Sequence, residues 1–261
     1  MLKIKNYIGG VFLEPKNKKY IDNSSPTNGV KYSLVPDSNS ADVDLAVGAA
    51  KTAFKSWGTS TKEHRYGWMM KLADAIDDHA EELIVAESYD NGKPEWLAKS
   101  VDIPRCSANI RFFATALLHF YSDSHSMDGS ALNYTLKQPV GVAGCISPWN
   151  LPLYLLTWKI APAIAAGNTV VAKPSEITPY TAYLLSKICV DINFPKGVIN
   201  IVHGYGATAG AAIVEKSDII SFTGGTETGL NFIGYHDLNS IFNLDKTPLF
   251  KKIFLNNFYF S

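Results

Sequence analysis

Apolar residues recur along this chain with two different periods. In the first part Val43, Val47, Ala50, Phe54 and Trp57 return every three or four positions, the spacing of one helix face. Ser40 stands where an N-cap is needed. Ser60, Thr61, Lys62 and Glu63 have the S-x-x-E form of a capping box, and Tyr66, Met69, Met70, Ala73 and Ile76 form a second stripe behind it. A third helix is predicted over residues 80–89, halted by Asn91 and Gly92 with Pro94 beyond. A longer one is predicted over 95–119, with Pro104 as its kink. Ahead of these, Tyr7-Ile8 and Val11-Phe12 flank Gly9-Gly10, which predicts a tight hairpin, and residues 32–35 read as a strand before the turn at Pro36-Asp37. The helical stripes are explained by core packing alone.

From Tyr134 onward the texture changes. Residues 140–146, 168–172, 198–202 and 219–222 are short apolar runs rich in Val and Ile. Helices fit between them, the first carrying Trp158 and Ile160 and the others covering residues 180–191 and 208–216. Continuous apolar runs alternating with helices predict an α/β fold with a buried parallel sheet. The last stretch, residues 230–261, contains no Ala, Val, Glu or Arg and ends in FLNNFYFS. It holds no clean period and is apolar, β-prone and nearly uncharged. Two readings are open for it: an irregular C-terminal segment, or a divergent, non-native or disordered tail not selected with the rest, such as read-through past a splice junction. The break in composition favours the second.

Composition narrows the function. The chain has 261 residues, 46% hydrophobic and 18% charged, with Lys+Arg and Asp+Glu balanced at 24 each. A net charge of zero gives no reason to expect nucleic acid or an acidic membrane as partner. Three well-separated cysteines (Cys106, Cys145, Cys189) make no C-x-x-C pair, so neither a metal site nor a disulfide framework is expected, and a reducing, cytoplasmic setting fits. The N-terminal residues, broken by Gly9, Gly10 and Glu14, do not read as a signal peptide, and the longest apolar region is cut by Asn150, Lys159 and Pro162.

The candidate chemistry lies at the ends of the four apolar runs, where α/β proteins bind ligands. After the first, Ser147-Pro148-Trp149-Asn150-Leu151-Pro152 holds Trp149 and Asn150 in a stiff turn, and the Asn150 amide could donate to a developing oxyanion. Taken alone it reads better as a turn-forming Asn before a helix. After the second, Lys173 and Glu176 place a cation and a carboxylate three residues apart, suited to ribose hydroxyls or to a solvated helix start. After the third, Gly204, Gly206 and Gly210 make G-x-G-x-x-x-G, one residue off the dinucleotide fingerprint. After the fourth, Phe222-Thr223-Gly224-Gly225 leads to Thr228-Gly229, with the glycine spacing of a P-loop but not its Lys-Ser/Thr.

Taken in order and at this spacing, PVGVAGCISPWN, AAGNTVVAKPSE, GVINIVHGYGATAG and ISFTGGTETG resemble the cofactor-binding half of the aldehyde dehydrogenase superfamily, continuously from Ile4 to Gly229. NLPLYLLTWKIAPAIAAGN, with DIPR at Asp102 and NIRFFA at Asn109, is most similar to the branch that oxidises muconic-type semialdehydes in tryptophan breakdown through kynurenine. The resemblance implies a Rossmann-like parallel sheet with flanking helices, incomplete at the C-terminus, over residues 1–229. It implies NAD as cofactor and a small aldehyde as substrate. Asn150 inherits the role of holding the thiohemiacetal oxyanion. Lys173 and Glu176 inherit the adenosine ribose, and the Glu176 carboxylate should repel a 2′-phosphate and so favour NAD over NADP. Ile146, Ser147 and Trp149 would line the cofactor cleft, Gly206 and Gly210 would let the backbone approach the adenine side, and Phe222, Gly224, Gly225 and Thr228 would cradle the pyrophosphate.

Departures from the family pattern carry equal weight. The family needs a Cys thiolate nucleophile and a Glu general base, both from motifs downstream of FTGGTETG, and this sequence has neither. Cys106, Cys145 and Cys189 read as core residues. The segment from Gly210 to Phe222 is short against the family spacing, which would distort the last βα unit. The expectation is an aldehyde dehydrogenase by descent that is inactive as this polypeptide alone. The alternatives are a non-catalytic NAD-binding module, co-assembling with a full-length subunit, and a reductase of acyl phosphates or acyl-CoA. Glu176 and the PWN turn weigh against the last. Family members form homo-oligomers, partly through C-terminal strands.

Overall fold

The computed structural model describes residues 1–235 and 253–255, with side chains described through residue 230. The chain opens with β1 (Leu2–Lys3), β2 (Asn6–Ile8), β3 (Val11–Leu13), β4 (Tyr20–Ser24) and β5 (Lys31–Pro36). Helices α1 (Ser40–Trp57), α2 (Lys62–Asp78), α3 (Ala80–Asn91), the single turn α4 (Glu95–Leu97) and α5 (Ile103–Leu118) follow. A hairpin of β6 (Ser124–Met127) and β7 (Ala131–Tyr134) then leads into the alternating half: β8 (Val142–Ile146), α6 (Pro152–Ala165), β9 (Thr169–Lys173), α7 (Tyr180–Asp191), β10 (Ile199–Ile201), α8 (Ala211–Lys216), β11 (Ile219–Phe222) and α9 (Thr226–Tyr235), with β12 (Ile253–Leu255) last.

The main sheet runs in the order β12-β11-β8-β9-β10-β2-β3. β11, β8, β9 and β10 are parallel, as the apolar runs predict, whereas β2 joins β10 antiparallel and β3 closes that edge as the predicted hairpin. β8, β9 and β10 step in one direction across the sheet. β11 then returns to the far side of β8, so the winding reverses between β8 and β11.

Both faces of the sheet are covered, which explains why its strands show no polar alternation. Val170 and Ala172 of β9 join one core with Leu72, Ile110, Leu156 and Leu185, from the side of α2, α5, α6 and α7. Val171, between them, joins the other core with Val43, Ala50 and Ile213 from α1 and α8. β11 keeps its register against β8 from Ile219 opposite Ala143 to Phe222 opposite Ile146, so the short six-residue α8 leaves the pairing of this last parallel strand intact.

Three local predictions are corrected. The cap of α1 is Asn39, not Ser40: its side chain accepts from Ala41 N at 3.0 Å, and Asp42 accepts from Asn39 N at 3.1 Å. The cap of α2 is Thr61, which accepts from His64 N at 3.2 Å, while Ser60 Oγ donates back to Trp57 O at 2.5 Å. Pro104 kinks nothing. It sits in the first turn of α5, where a missing N–H is tolerated, and the segment before it, Ala98–Asp102, is a π-turn. The hairpin β6–β7, with all eight residues exposed, went unpredicted because it buries no side chain that could impose a period. The divergent tail predicted after Gly229 lies outside the described residues at 236–252 and 256–261; α9 itself runs through Tyr235. Among the described residues no helix is long and apolar enough to cross a membrane.

Candidate functional site

The four glycine- and proline-bearing loops leave the C-terminal ends of β8, β9, β10 and β11, one edge of the sheet. The end of β8 ties its neighbours together: Thr223 N donates to Ile146 O at 3.1 Å, and Ser147 N donates to Lys173 O at 3.2 Å. The reversal of winding falls between β8 and β11, beside two of the loops that the sequence singles out, which is where α/β folds characteristically take a ligand.

On the β9 side, Lys173 is almost fully buried at the strand end. Its ammonium donates to Pro174 O at 2.8 Å and to Glu176 Oε2 at 3.0 Å. Burial pulls the Lys173 pKa down, and the Glu176 carboxylate works against that pull. Glu176 keeps 28% of its side chain exposed, so a carboxylate is presented outward on a fixed cation. Gly210 lies over the Lys173 stem, where an added Cβ would sit 3.6 Å from Cδ. An added Cβ on Gly206 would meet nothing within 4 Å, so this glycine borders open space. The third loop opens as a π-turn, Gly206–Gly210, before α8 begins.

On the β11 side, Phe222 is buried at the strand end and its ring lies against Gly224, where a Cβ would come within 2.4 Å of Cζ. Gly225 differs: its Cβ would meet only Thr228 Oγ1, at 4.0 Å. Phe222, Gly224, Gly225 and Gly229 border a small hollow of about 50 Å³ at the start of α9, where backbone N–H groups suit an anion. Thr228 is exposed beside it.

Between the two sides stands the turn after β8. Ile146 and Ser147 are buried, and the Ser147 hydroxyl has no partner among the described residues. Trp149 and Asn150 are exposed, so both face the solvent that a ligand would replace. Ile146, Ser147, Trp149, Asn150, Lys173, Glu176, Gly206, Gly210, Phe222, Gly224, Gly225 and Thr228 thus lie on strand ends, on the loops after them or in the first turns of the helical segments that follow, at this one edge.

The structure adds residues with no motif to mark them. Lys159, on α6, is buried and donates to Thr223 Oγ1 at 2.5 Å; burial lowers its pKa to about 8. The sequence shows it only as a break in an apolar run. Lys93 is held between the buried carboxylates of Glu87 and Asp102, 3.3 and 2.5 Å away, and also reaches Asn150 O. Its local signal, Asn91-Gly92-Lys93-Pro94, reads as a helix stop and nothing more. His203 is buried beyond β10 with both ring nitrogens unpartnered among the described residues, and burial, helped by Lys173, lowers its pKa to about 3.

The three cysteines are fully buried. Burial pushes the thiols of Cys145 and Cys189 up to about 12 and that of Cys106 well above its ordinary value. None is a thiolate near neutrality.

A winding reversal in a parallel sheet covered on both faces defines a doubly wound α/β domain of the Rossmann-like class. The chain belongs to the aldehyde dehydrogenase family, whose pattern it matches over residues 12–237. It is 52% identical over 230 residues to 2-aminomuconic semialdehyde dehydrogenase of Danio rerio, covering 87% of this chain and 47% of that protein. Among solved structures it resembles an aldehyde dehydrogenase from Burkholderia cenocepacia (TM-score 0.88, 38% identity, 92% of this chain and 50% of that one). It also resembles the NAD+ complex of aldehyde dehydrogenase from Bacillus cereus (TM-score 0.86, 38% identity, 89% and 48%). The chain therefore spans about half the length of the relatives it matches. The family membership read from the four motifs is borne out.

Proposed function

We propose that this chain is the nucleotide-binding part of an NAD-dependent aldehyde dehydrogenase acting on a muconic-type semialdehyde. The observation that carries this reading is the Lys173–Glu176 pair, set at the same sheet edge as the open glycine Gly225 and the turn bearing Asn150. Lys173 and Glu176 would hold the two hydroxyls of the adenosine ribose. The hollow at the start of α9 would take the diphosphate, with Phe222, Gly224, Gly225 and Thr228 around it, and Gly206 and Gly210 would leave space for adenine. Ile146, Ser147 and Trp149 would line the path of the dinucleotide between its two ends. A second phosphate beside Glu176 would meet like charge, which supports NAD over NADP. The name of the Danio rerio relative supports the semialdehyde.

Asn150 would donate its side-chain amide to the oxyanion formed when a thiolate adds to the aldehyde carbonyl. NAD, where bound, would supply the hydride acceptor. The thiolate is not among Cys106, Cys145 and Cys189, whose burial keeps them protonated. These 261 residues therefore bind and orient but do not attack, and by themselves they oxidise no aldehyde. The same burial favours a second reading, a non-catalytic NAD-binding module that co-assembles with a subunit supplying the nucleophile.

Titration with NAD and NADP, followed by tryptophan fluorescence, tests the nucleotide reading. Saturable binding of NAD, with NADP weaker by about tenfold or more, supports it. No response at millimolar NAD overturns it. Steady NADH production from a semialdehyde by this chain alone would overturn the assignment of inactivity.

A further inference from the structure

We propose that Asn91 and Lys93 are positioning residues for the turn that carries Trp149 and Asn150, a reading that rests on the nucleotide site above. Asn91 Nδ2 donates to Trp149 O at 2.8 Å, and Lys93 Nζ donates to Asn150 O at 3.2 Å. Two residues at the end of α3 thus hold two consecutive carbonyls 57 or 58 positions further along the chain.

The holding segment is itself fixed. Gly92 adopts a positive φ of 82°, its N–H donates to Ser88 O at 2.8 Å, and Ser88 Oγ donates to Lys93 O at 2.6 Å. This left-handed residue ends α3 and turns the chain.

Lys93 has little choice of partner. An ammonium has three N–H donors. Glu87 Oε1 at 3.3 Å, Asp102 Oδ2 at 2.5 Å and Asn150 O at 3.2 Å take them. The Lys93 side chain is 7% exposed and the two carboxylates are buried, so the ammonium is enclosed by the groups it donates to and held in place.

The consequence is geometric. The direction of a side chain on a turn follows from the peptide planes on either side of it, because φ and ψ are the only soft backbone angles. Fixing the carbonyls of Trp149 and Asn150 fixes those planes. Those two planes flank Asn150 and follow Trp149, so the course of the turn beneath the exposed Asn150 amide and Trp149 indole is set from α3 as well as from β8. Asn91 is only half-buried and its bond lies outside the core, so its contribution is separable from folding.

Asn91→Asp, which keeps the shape and removes the donor, and Asn91→Ala, which removes it without adding charge, test the proposal in the whole chain. Adenosine and NAD are titrated into each, and nuclear relaxation of the Trp149 indole and Asn150 amide nitrogens is measured. Adenosine engages only the Lys173–Glu176 end, whereas NAD must pass the turn. The expected result is adenosine binding unchanged within about twofold, NAD binding weakened about tenfold, and larger nanosecond motion at Trp149 and Asn150, with the melting temperature unchanged. Equal loss for both ligands, or unchanged relaxation, overturns it. If the wild-type chain binds neither ligand, the nucleotide reading falls, and the relaxation data still decide whether Asn91 holds the turn.

Discussion

The Lys173 ammonium donates to the Glu176 carboxylate across 3.0 Å, with the cation buried and the anion partly in solvent. The pair is asymmetric for a reason. Lys173 closes β9 and has the Pro174 carbonyl as a second acceptor, whereas Glu176 lies on the loop and has accepting capacity left. Glu176→Gln keeps the shape and removes the charge that would repel a 2′-phosphate. Its expected effect is a loss of about tenfold in NAD affinity together with a smaller gap between NAD and NADP, read by isothermal titration. A variant that binds both nucleotides as the wild type does would remove Glu176 from the ribose site.

This edge was legible in the sequence because its parts are local. Each loop follows directly on a strand, and Pro148, Pro174, Gly204 and Gly224 punctuate the ends. The parallel sheet was legible because two-sided burial leaves an unbroken apolar run. What stayed hidden depends on distance along the chain. Lys93 meets Asn150 across 57 positions, with α5 and β6 to β8 between them in the chain, and Lys159 meets Thr223 across 64. No spacing rule marks such pairs. His203 shows the same limit: a histidine after a strand reads as an ordinary turn residue until the fold buries both of its nitrogens. The caps shifted by one residue because Ser, Thr and Asn compete at adjacent positions, and only the backbone angles choose among them.

His203 makes a prediction about acid stability. Its folded pKa is lowered to about 3 by burial and then by Lys173, below the ordinary 6.5. The unfolded chain therefore binds a proton between those values that the folded chain refuses. Stability from this group is present above pH 6.5 and is lost as pH falls towards 3, at about 1.4 kcal/mol per pH unit. Glu87 and Asp90 act in the opposite sense. Burial raises them to about 7 and about 6, so each costs stability as pH rises from its unfolded pKa towards those values. Comparing His203→Leu with the wild type isolates the histidine. The variant should gain on the wild type as pH drops below 6.5, in urea denaturation at a series of pH values. Parallel curves would mean that His203 has a partner when the protein is in water.

The thiols give a direct test of the inactivity argument. All three are buried, with pKa values raised by burial. At pH 8 an aromatic disulfide reagent should find almost no reactive thiol in the native chain and three after unfolding. One fast-reacting thiol in the native protein would reopen the question of a nucleophile within these residues.

Gly224 and Gly225 are neighbours with opposite expected roles. A Cβ at position 224 would stand 2.4 Å from Phe222 Cζ, so Gly224→Ala must displace a buried ring at the end of β11. Overpacking of this kind costs roughly 1–3 kcal/mol, seen as a lower melting temperature. A Cβ at position 225 would meet nothing nearer than Thr228 Oγ1 at 4.0 Å, so the fold has no need of a glycine there. If the hollow holds a diphosphate, the need comes from the ligand. Gly225→Ala should then leave the melting temperature of the free protein unchanged, weaken NAD by about tenfold and leave adenosine binding intact. Calorimetric melting and paired titrations separate the two substitutions, and a Gly225→Ala chain that binds NAD at full strength would move the diphosphate out of this hollow.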